Sequence, residues 1–262
     1  MKYLKDLLRP FSQHKYLLYQ LTQREIKARY KQSIVGYAWV LLNPLAQMAI
    51  YVFVFSVIFR FPTNNIPYPV YLFAALLPWT TLQVSINTAT QSLVDNASLL
   101  KKVAFPREII PYSVILAKLV DFCFSLIVFA FLLLFFRVSL ASTAILFLPL
   151  FILQILLSTG ISLLLTAFNL FFRDIQYLAN LLLMMWMYLT PVVYPMSLVP
   201  AKYVNFYKLN PMVGIVEGYR SALFGNPFEW SIIAWSTFCS IFIFLLGFLV
   251  FKKLEKYFAD IV

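Results

Sequence analysis

The 262-residue chain is 62% hydrophobic and only 12% charged, and its 21 Lys and Arg against 10 Asp and Glu leave a net charge of +11. Soluble domains carry about 25% charged and about 45–50% apolar residues, so a single soluble core could not hide this much apolar surface. A soluble enzyme, a disulfide scaffold and a disordered tail are excluded. The apolar runs are long and unbroken rather than alternating, which excludes a transmembrane barrel and leaves an all-α integral membrane protein.

The first 33 residues hold eight Lys and Arg and lack the apolar core of a signal peptide or a span. At 100° per residue Arg24, Lys27 and Lys31 share one helical face, with Tyr19, Gln23, Ile26 and Tyr30 roughly opposite. This predicts an interfacial amphipathic helix, cations toward lipid phosphates and aromatics inward; a plain topology anchor is the alternative. Crossing a bilayer takes about 20 apolar residues. Six stretches are expected to do so: Ile34–Phe59, Tyr68–Val94, Tyr112–Phe136, Thr143–Phe172, Tyr177–Tyr194 and Ser231–Phe251. The chain then divides into an arm (1–33), a six-span domain (34–251) with a loop at 95–111 and an external segment at 195–230, and a tail (252–262).

Charge follows this division. Fifteen cations lie in the arm, the 95–111 loop, the turn at Arg173 and the tail. Five lie on the opposite side (Arg60, Arg137, Lys202, Lys208 and Arg220), and Lys118 is inside a span. The positive-inside rule puts both termini in the cytoplasm, and nucleic acid is not needed to explain the excess.

Polar residues inside the spans carry the next signal. Thr80, Gln83, Asn87 and Gln91 recur at spacings of three and four, as expected for a channel lining or for interhelical hydrogen bonds. Lys118 and Asp121, three apart, form an intramembrane ion pair on this reading. The loop Leu99–Pro111 mixes apolar and charged residues, either to dock on a soluble partner or as a tight connection. Pro and Gly punctuate the run from Thr190 to Gly225, which predicts short re-entrant helices from the external side. Trp186, Tyr188 and Tyr194 offer aromatic faces there, or form an ordinary interfacial belt. Cys123 and Cys239 read as small buried hydrophobes, and a single histidine, His14, leaves no His-based metal site or triad. No catalytic or metal residue is expected. No GxxxxGK[ST] loop is present, so ATP and Mg belong to a partner chain.

The order of motifs resembles the type-2 ABC exporter permeases for polysaccharides, the group with O-antigen, teichoic acid and capsule permeases. The likeness rests on Arg24 to Tyr30 (REIKARY), Ser33, Gly36, Trp39, Asn43-Pro44-Leu45, Leu77-Pro78-Trp79 and Lys102 to Pro111 (KVAFPREIIP). It continues through Asn169 to Ile175, Thr190 to Tyr194 with Pro195, Asn210-Pro211-Met212 and Tyr219-Arg220. The resemblance implies a homodimer of six-span subunits in the bacterial inner (cytoplasmic) membrane, docked on two cytoplasmic ATP-binding subunits. The substrate it implies is an O-antigen-like glycan on an undecaprenyl-type lipid carrier. It places Arg24, Lys27, Arg29 and Tyr30 near the lipid pyrophosphate. Lys101, Lys102, Phe105, Arg107 and Glu108 become the coupling element, and 195–225 the external gate. Clustered Lys and Arg would attract such a headgroup on physical grounds too. The alternatives are a teichoic acid or capsule exporter, a drug-export permease, and a membrane-embedded glycosyltransferase. The last would need clustered carboxylates, and the ten acids are scattered; few cations at membrane depth favour a neutral glycan.

Overall fold

The computed structural model describes residues 13–30, 36–59 and 66–261, and among these there are helices and turns but no strand. In chain order the helices are α1 (Lys15–Tyr30), α2 (Trp39–Val52, continued to Ile58 as a π-helix), α3 (Tyr68–Asp95) and α4 (Ala97–Lys102). Then come α5 (Ile109–Phe135), α6 (Phe147–Phe171), α7 (Ile175–Tyr188), α8 (Ala201–Lys208), α9 (Pro211–Phe224), α10 (Trp230–Leu254) and α11 (Phe258–Ile261).

Helix α3 is the axis of the bundle. Eighteen of its 28 residues are buried, with α5 on one side, α6 on another and α10 beyond α6. Two glycines let α6 and α10 touch along their backbones: a Cβ on Gly160 would lie 2.6 Å from the Phe244 Cα, and one on Gly247 would overlap the Gly160 carbonyl. Between helices in lipid, where no hydrophobic gain accompanies association, close approach through small residues supplies the contact.

Among the described residues five helices are long and apolar enough to cross a membrane: Leu41–Ile58, Tyr68–Asp95, Ile109–Phe135, Ser142–Phe171 and Trp230–Tyr257. The run Tyr177–Tyr194, expected as one span, departs from that. Helix α7 has 14 residues, about 21 Å at 1.5 Å per residue, short of a hydrocarbon core about 30 Å thick. Pro191 explains the stop, because it lacks an N–H and disfavours helical backbone at Thr190 before it.

Apolar clusters define the two ends. At one end Leu18 and Leu21 of α1 pack with Leu93, Leu100, Ile109, Ile110, Phe251 and Phe258. The arm, the 95–111 loop and the C-terminal turn therefore meet. At the other, Tyr68, Val192, Val193, Met212 and Tyr219 share one cluster. The arm helix corrects the expected orientation: its leucines face inward, while Tyr19 is 58% exposed. Leu17, Leu18 and Leu21 form the stripe that packs, and a face assigned from the cations alone misses it. The cysteines differ from expectation as well, Cys123 being exposed and Cys239 half-buried. In a spanning helix the outward face is apolar too, so an apolar neighbourhood in sequence does not imply burial.

Replacing Gly247 with Ala should lower stability by about 1–3 kcal/mol through overpacking, read as a lower thermal midpoint in detergent. A variant as stable as the parent would refute the backbone contact.

Candidate functional site

Helices α2, α3 and α5 line an open cavity of about 470 Å³ beside the middle of α3 and α5, with Asn43, Gln47, Thr80, Gln83, Lys118, Asp121 and Ser125, and Trp39 and Phe122, on its walls. Two features that are separate in the sequence meet here, the polar track of α3 and the α5 ion pair. Lys118 Nζ stands 4.0 Å from Asp121 Oδ2. Only half the expected track belongs to the cavity. Asn87 donates to Asn180 Oδ1 of α7 at 3.0 Å, and Gln91 does not line the cavity. The 3–4 spacing drifts round the helix, so successive residues meet different neighbours.

At the end where the arm packs, Arg24 bonds the Asn96 side chain and lies 3.3 Å from Glu25 Oε1. Asn96 sits at the junction of α3 and α4 and donates to the Ser92 carbonyl at 2.8 Å. Arg24 thus fastens the arm to the start of the loop while its side chain remains 49% exposed. Lys27 is exposed; the side chains of Arg29 and Tyr30 lie outside the described residues.

The other end of the same loop is clasped internally. Lys252 Nζ of α10 is 2.6 Å from Glu108 Oε1 and 2.9 Å from Glu255 Oε2. The Arg107 backbone N–H donates to Glu255 Oε1 and its guanidinium to the Glu255 carbonyl, both at 2.9 Å. Burial, and then the Glu255 carboxylate, push the Glu108 carboxyl above its ordinary range against the pull of Lys252. Arg107 and Glu108, expected as partner-docking residues, therefore hold the loop to the last span. Lys101, Lys102, Val103 and Ala104 are exposed, and Phe105 is half-buried. Sequence reading could not see the clasp, because its ionic partners are about 150 residues away.

The segment after α7 is fastened from several sides. Asn210 caps α9 by accepting from the Met212 N–H at 3.0 Å and takes the Trp186 Nε1–H at 2.8 Å. Its amide donates to the Leu189 carbonyl at 3.1 Å and to Thr190 Oγ1 at 2.9 Å. Arg220, counted above as an external cation, is 1% exposed. It donates to the carbonyls of Pro191 (2.7 Å) and Val192 (2.8 Å) and to Glu217 Oε1 (2.7 Å), and stacks on the Tyr71 ring 3.8 Å from its centroid. Tyr68 donates to the Val193 carbonyl at 2.7 Å. Trp186, Tyr188 and Tyr194 belong to this structure and not to the cavity. Trp186 packs edge-on against Trp79, and the Tyr194 hydroxyl donates to the Tyr188 carbonyl at 2.6 Å. The Asn210-Pro211 pair is a readable helix start, whereas the role of Arg220 appears only once the chain is folded. Among the described residues no three of His, Cys, Asp and Glu gather as a metal site.

Residues 16–224, most of the chain, match the model of the ABC-2 type transporter family. The chain belongs to that family. Among ABC-2 relatives, the O-antigen export system permease protein RfbA of Myxococcus xanthus is 34% identical over 83% of this chain and 84% of its own. The protein of that name from Klebsiella pneumoniae is 30% identical over 94% and 95%. The polysialic acid transport protein KpsM of Escherichia coli is 26% identical over 81% and 83%. With its five helices of spanning length, this ABC-2 chain is a multi-pass membrane protein.

Two outcomes follow from this ABC-2 geometry. Lys252→Met, which strands the buried Glu108, should cost about 3–5 kcal/mol. Combined with Glu108→Gln the loss should be smaller than the two single losses added, and additive unfolding energies in detergent would refute the clasp. Arg220→Lys keeps the charge but loses the fork that serves two carbonyls and a carboxylate. It should expose the 189–200 turn to proteases, and unchanged proteolysis would refute the fastening role.

Proposed function

We propose that this chain is the permease subunit of an ABC transporter that exports a lipid-linked, O-antigen-like polysaccharide, powered by separate ATP-binding subunits. The observation that carries the reading is the joining of arm, loop and tail at one end of a helical bundle that also holds an open polar cavity between α2, α3 and α5. A cation-rich end suits the cytoplasmic face of a bacterial inner membrane, where it attracts the pyrophosphate of an undecaprenyl-type carrier. Exposed Lys27 and half-exposed Arg24 are the described candidates for that contact, with Arg29 and Tyr30 beside them in sequence. The clasped loop suits coupling: its exposed part, Lys101 to Ala104 with Phe105, meets the ATP-binding subunit, while Arg107 and Glu108 pass the movement to α10.

The relatives support this reading. Those named O-antigen permeases are 30% and 34% identical, and KpsM is 26% identical. Helix α7 and the buried α9 together replace one crossing, which gives six with the five long helices and returns the chain to the side it started from. Helix α2 has no buried residue in its Leu41–Ile58 stretch, and one face of α7 is bare; a second copy in a homodimer would cover them.

Deleting the gene in the parent bacterium should trap lipid-linked glycan on the inner leaflet, and the intact gene should restore surface glycan. Unchanged surface glycan would overturn the assignment. Phe105→Ala combined with Lys101→Ala and Lys102→Ala should cut export about tenfold or more, about 1.4 kcal/mol of coupling, while the protein inserts normally; undiminished export would remove the loop from coupling.

A further inference from the structure

We infer that the end of the bundle opposite the arm carries a site for one phospholipid with a zwitterionic amine headgroup. Its acyl chain lies in a groove between α6 and α10, and its headgroup on the Lys208–Glu229 pair. This goes beyond the export reading and does not rest on it. The groove, of about 350 Å³, runs between the starts of the two helices, walled by Leu146, Leu150 and Leu153 on one side and Phe228, Trp230 and Ile233 on the other. Its one hydroxyl, on Thr237, donates to the Ile233 carbonyl at 2.8 Å and is spent within α10. A sugar or a phosphate would be buried there without partners, which is costly. Both helices are long and apolar enough to span, so the groove opens on the bilayer, and a hydrocarbon chain is the ligand it fits. Trp230, 63% exposed and stacked on Phe228 with centroids 5.1 Å apart, supplies the amphipathic ring found where hydrocarbon gives way to headgroups.

A polar surface adjoins the groove. Ile233 is common to the groove and to a small hollow of about 60 Å³, and Glu229 is common to that hollow and to a shallow depression of about 700 Å³. The charged side chains of the depression are Lys208 and Glu229, with Nζ and Oε2 2.8 Å apart and side chains 36% and 59% exposed. An ion pair so exposed is held weakly, so a headgroup can open it at little cost. A phosphate beside Lys208 and an ammonium beside Glu229 then give each charge its opposite and bring in no net charge. A headgroup carrying phosphate without an amine would meet Glu229 as a like charge, and Glu217 in the hollow, bound to Arg220 at 2.7 Å, adds a second carboxylate. A lipid held in this way touches α6, α10 and the turn before α8 together, and braces the segment after α7 against the last span.

The test uses the purified full chain in detergent, with phosphatidylethanolamine and phosphatidylglycerol of identical acyl chains added in equal amounts, and counts bound lipid by native mass spectrometry. The parent should retain phosphatidylethanolamine about fivefold over phosphatidylglycerol, a difference of about 1 kcal/mol. Its thermal midpoint should rise with the first lipid more than with the second. Glu229→Gln should bring the two lipids to about parity. Ile152→Trp, which fills the groove from a side chain 52% exposed, should lower the bound phosphatidylethanolamine and abolish the preference. Both positions are exposed, so the variants keep the fold and each tests one half of the site. A parent that prefers phosphatidylglycerol would make this an anion site and overturn the inference, as would no preference, no retained lipid or unchanged binding by either variant. Loss of a dimer with Ile152→Trp at an unchanged lipid count would assign the groove to a second copy of the chain instead.

Discussion

Inside a lipid bilayer the backbone has no water to bond, so every N–H and C=O must find a partner within the protein. The long helices meet this demand by themselves. The stretch after α7 does not: Pro191 ends the helix, and the carbonyls of Leu189, Pro191, Val192 and Val193 are left to be satisfied by side chains. Asn210, Arg220 and Tyr68 supply those donors. From this one requirement follow the burial of Arg220 and the position of α9 against α3 and α10. Tyr219 extends the same network, donating to Gln154 Oε1 at 2.8 Å while Gln154 donates to the Pro78 carbonyl at 3.1 Å, which ties α9 through α6 to the centre of α3.

Charge works in two distinct ways in this ABC-2 permease. Exposed cations such as Lys27, Lys101 and Lys102 gather at one end, where solvent and headgroups screen them. Charges drawn into the bundle are paired: Arg220 with Glu217, Lys252 with Glu108 and Glu255, Lys118 with Asp121. Each buried pair costs desolvation that its own attraction only partly offsets, so these pairs are weak as sources of stability. Their value lies in specifying geometry, and the Glu108–Lys252 clasp does so where the loop meets the last span. With Arg24 holding the opposite end of the loop at Asn96, the 95–111 segment is tied to both the arm and α10.

Several elements were legible in the sequence because their cause is local. Five spans follow from hydropathy, and the Asn210-Pro211 start of α9 follows from capping chemistry. The Lys118–Asp121 pair follows from the i, i+3 spacing. Other readings went astray where the cause is not local. The run from Tyr177 to Tyr194 is apolar but for Asn180 and Thr190, yet its helix ends at Tyr188. The polar stripe of α3 looks continuous on paper, but Thr80 and Gln83 face α2 and α5 across the cavity while Asn87 reaches α7. The resemblance puts Glu108 in the coupling element, and nothing nearby in sequence hints at its pairing with Lys252.

By itself the sequence determined the membrane class, the helices long enough to cross, the end at which cations collect and the family likeness, since hydropathy, turn chemistry and charge act over a few residues of chain. Tertiary structure alone decided which polar groups share the cavity, which ions are buried together and which face of the arm packs. Those outcomes depend on contacts between residues far apart in the chain. In a bilayer, where apolar side chains are stable both inside the bundle and outside it, composition cannot say which face turns inward.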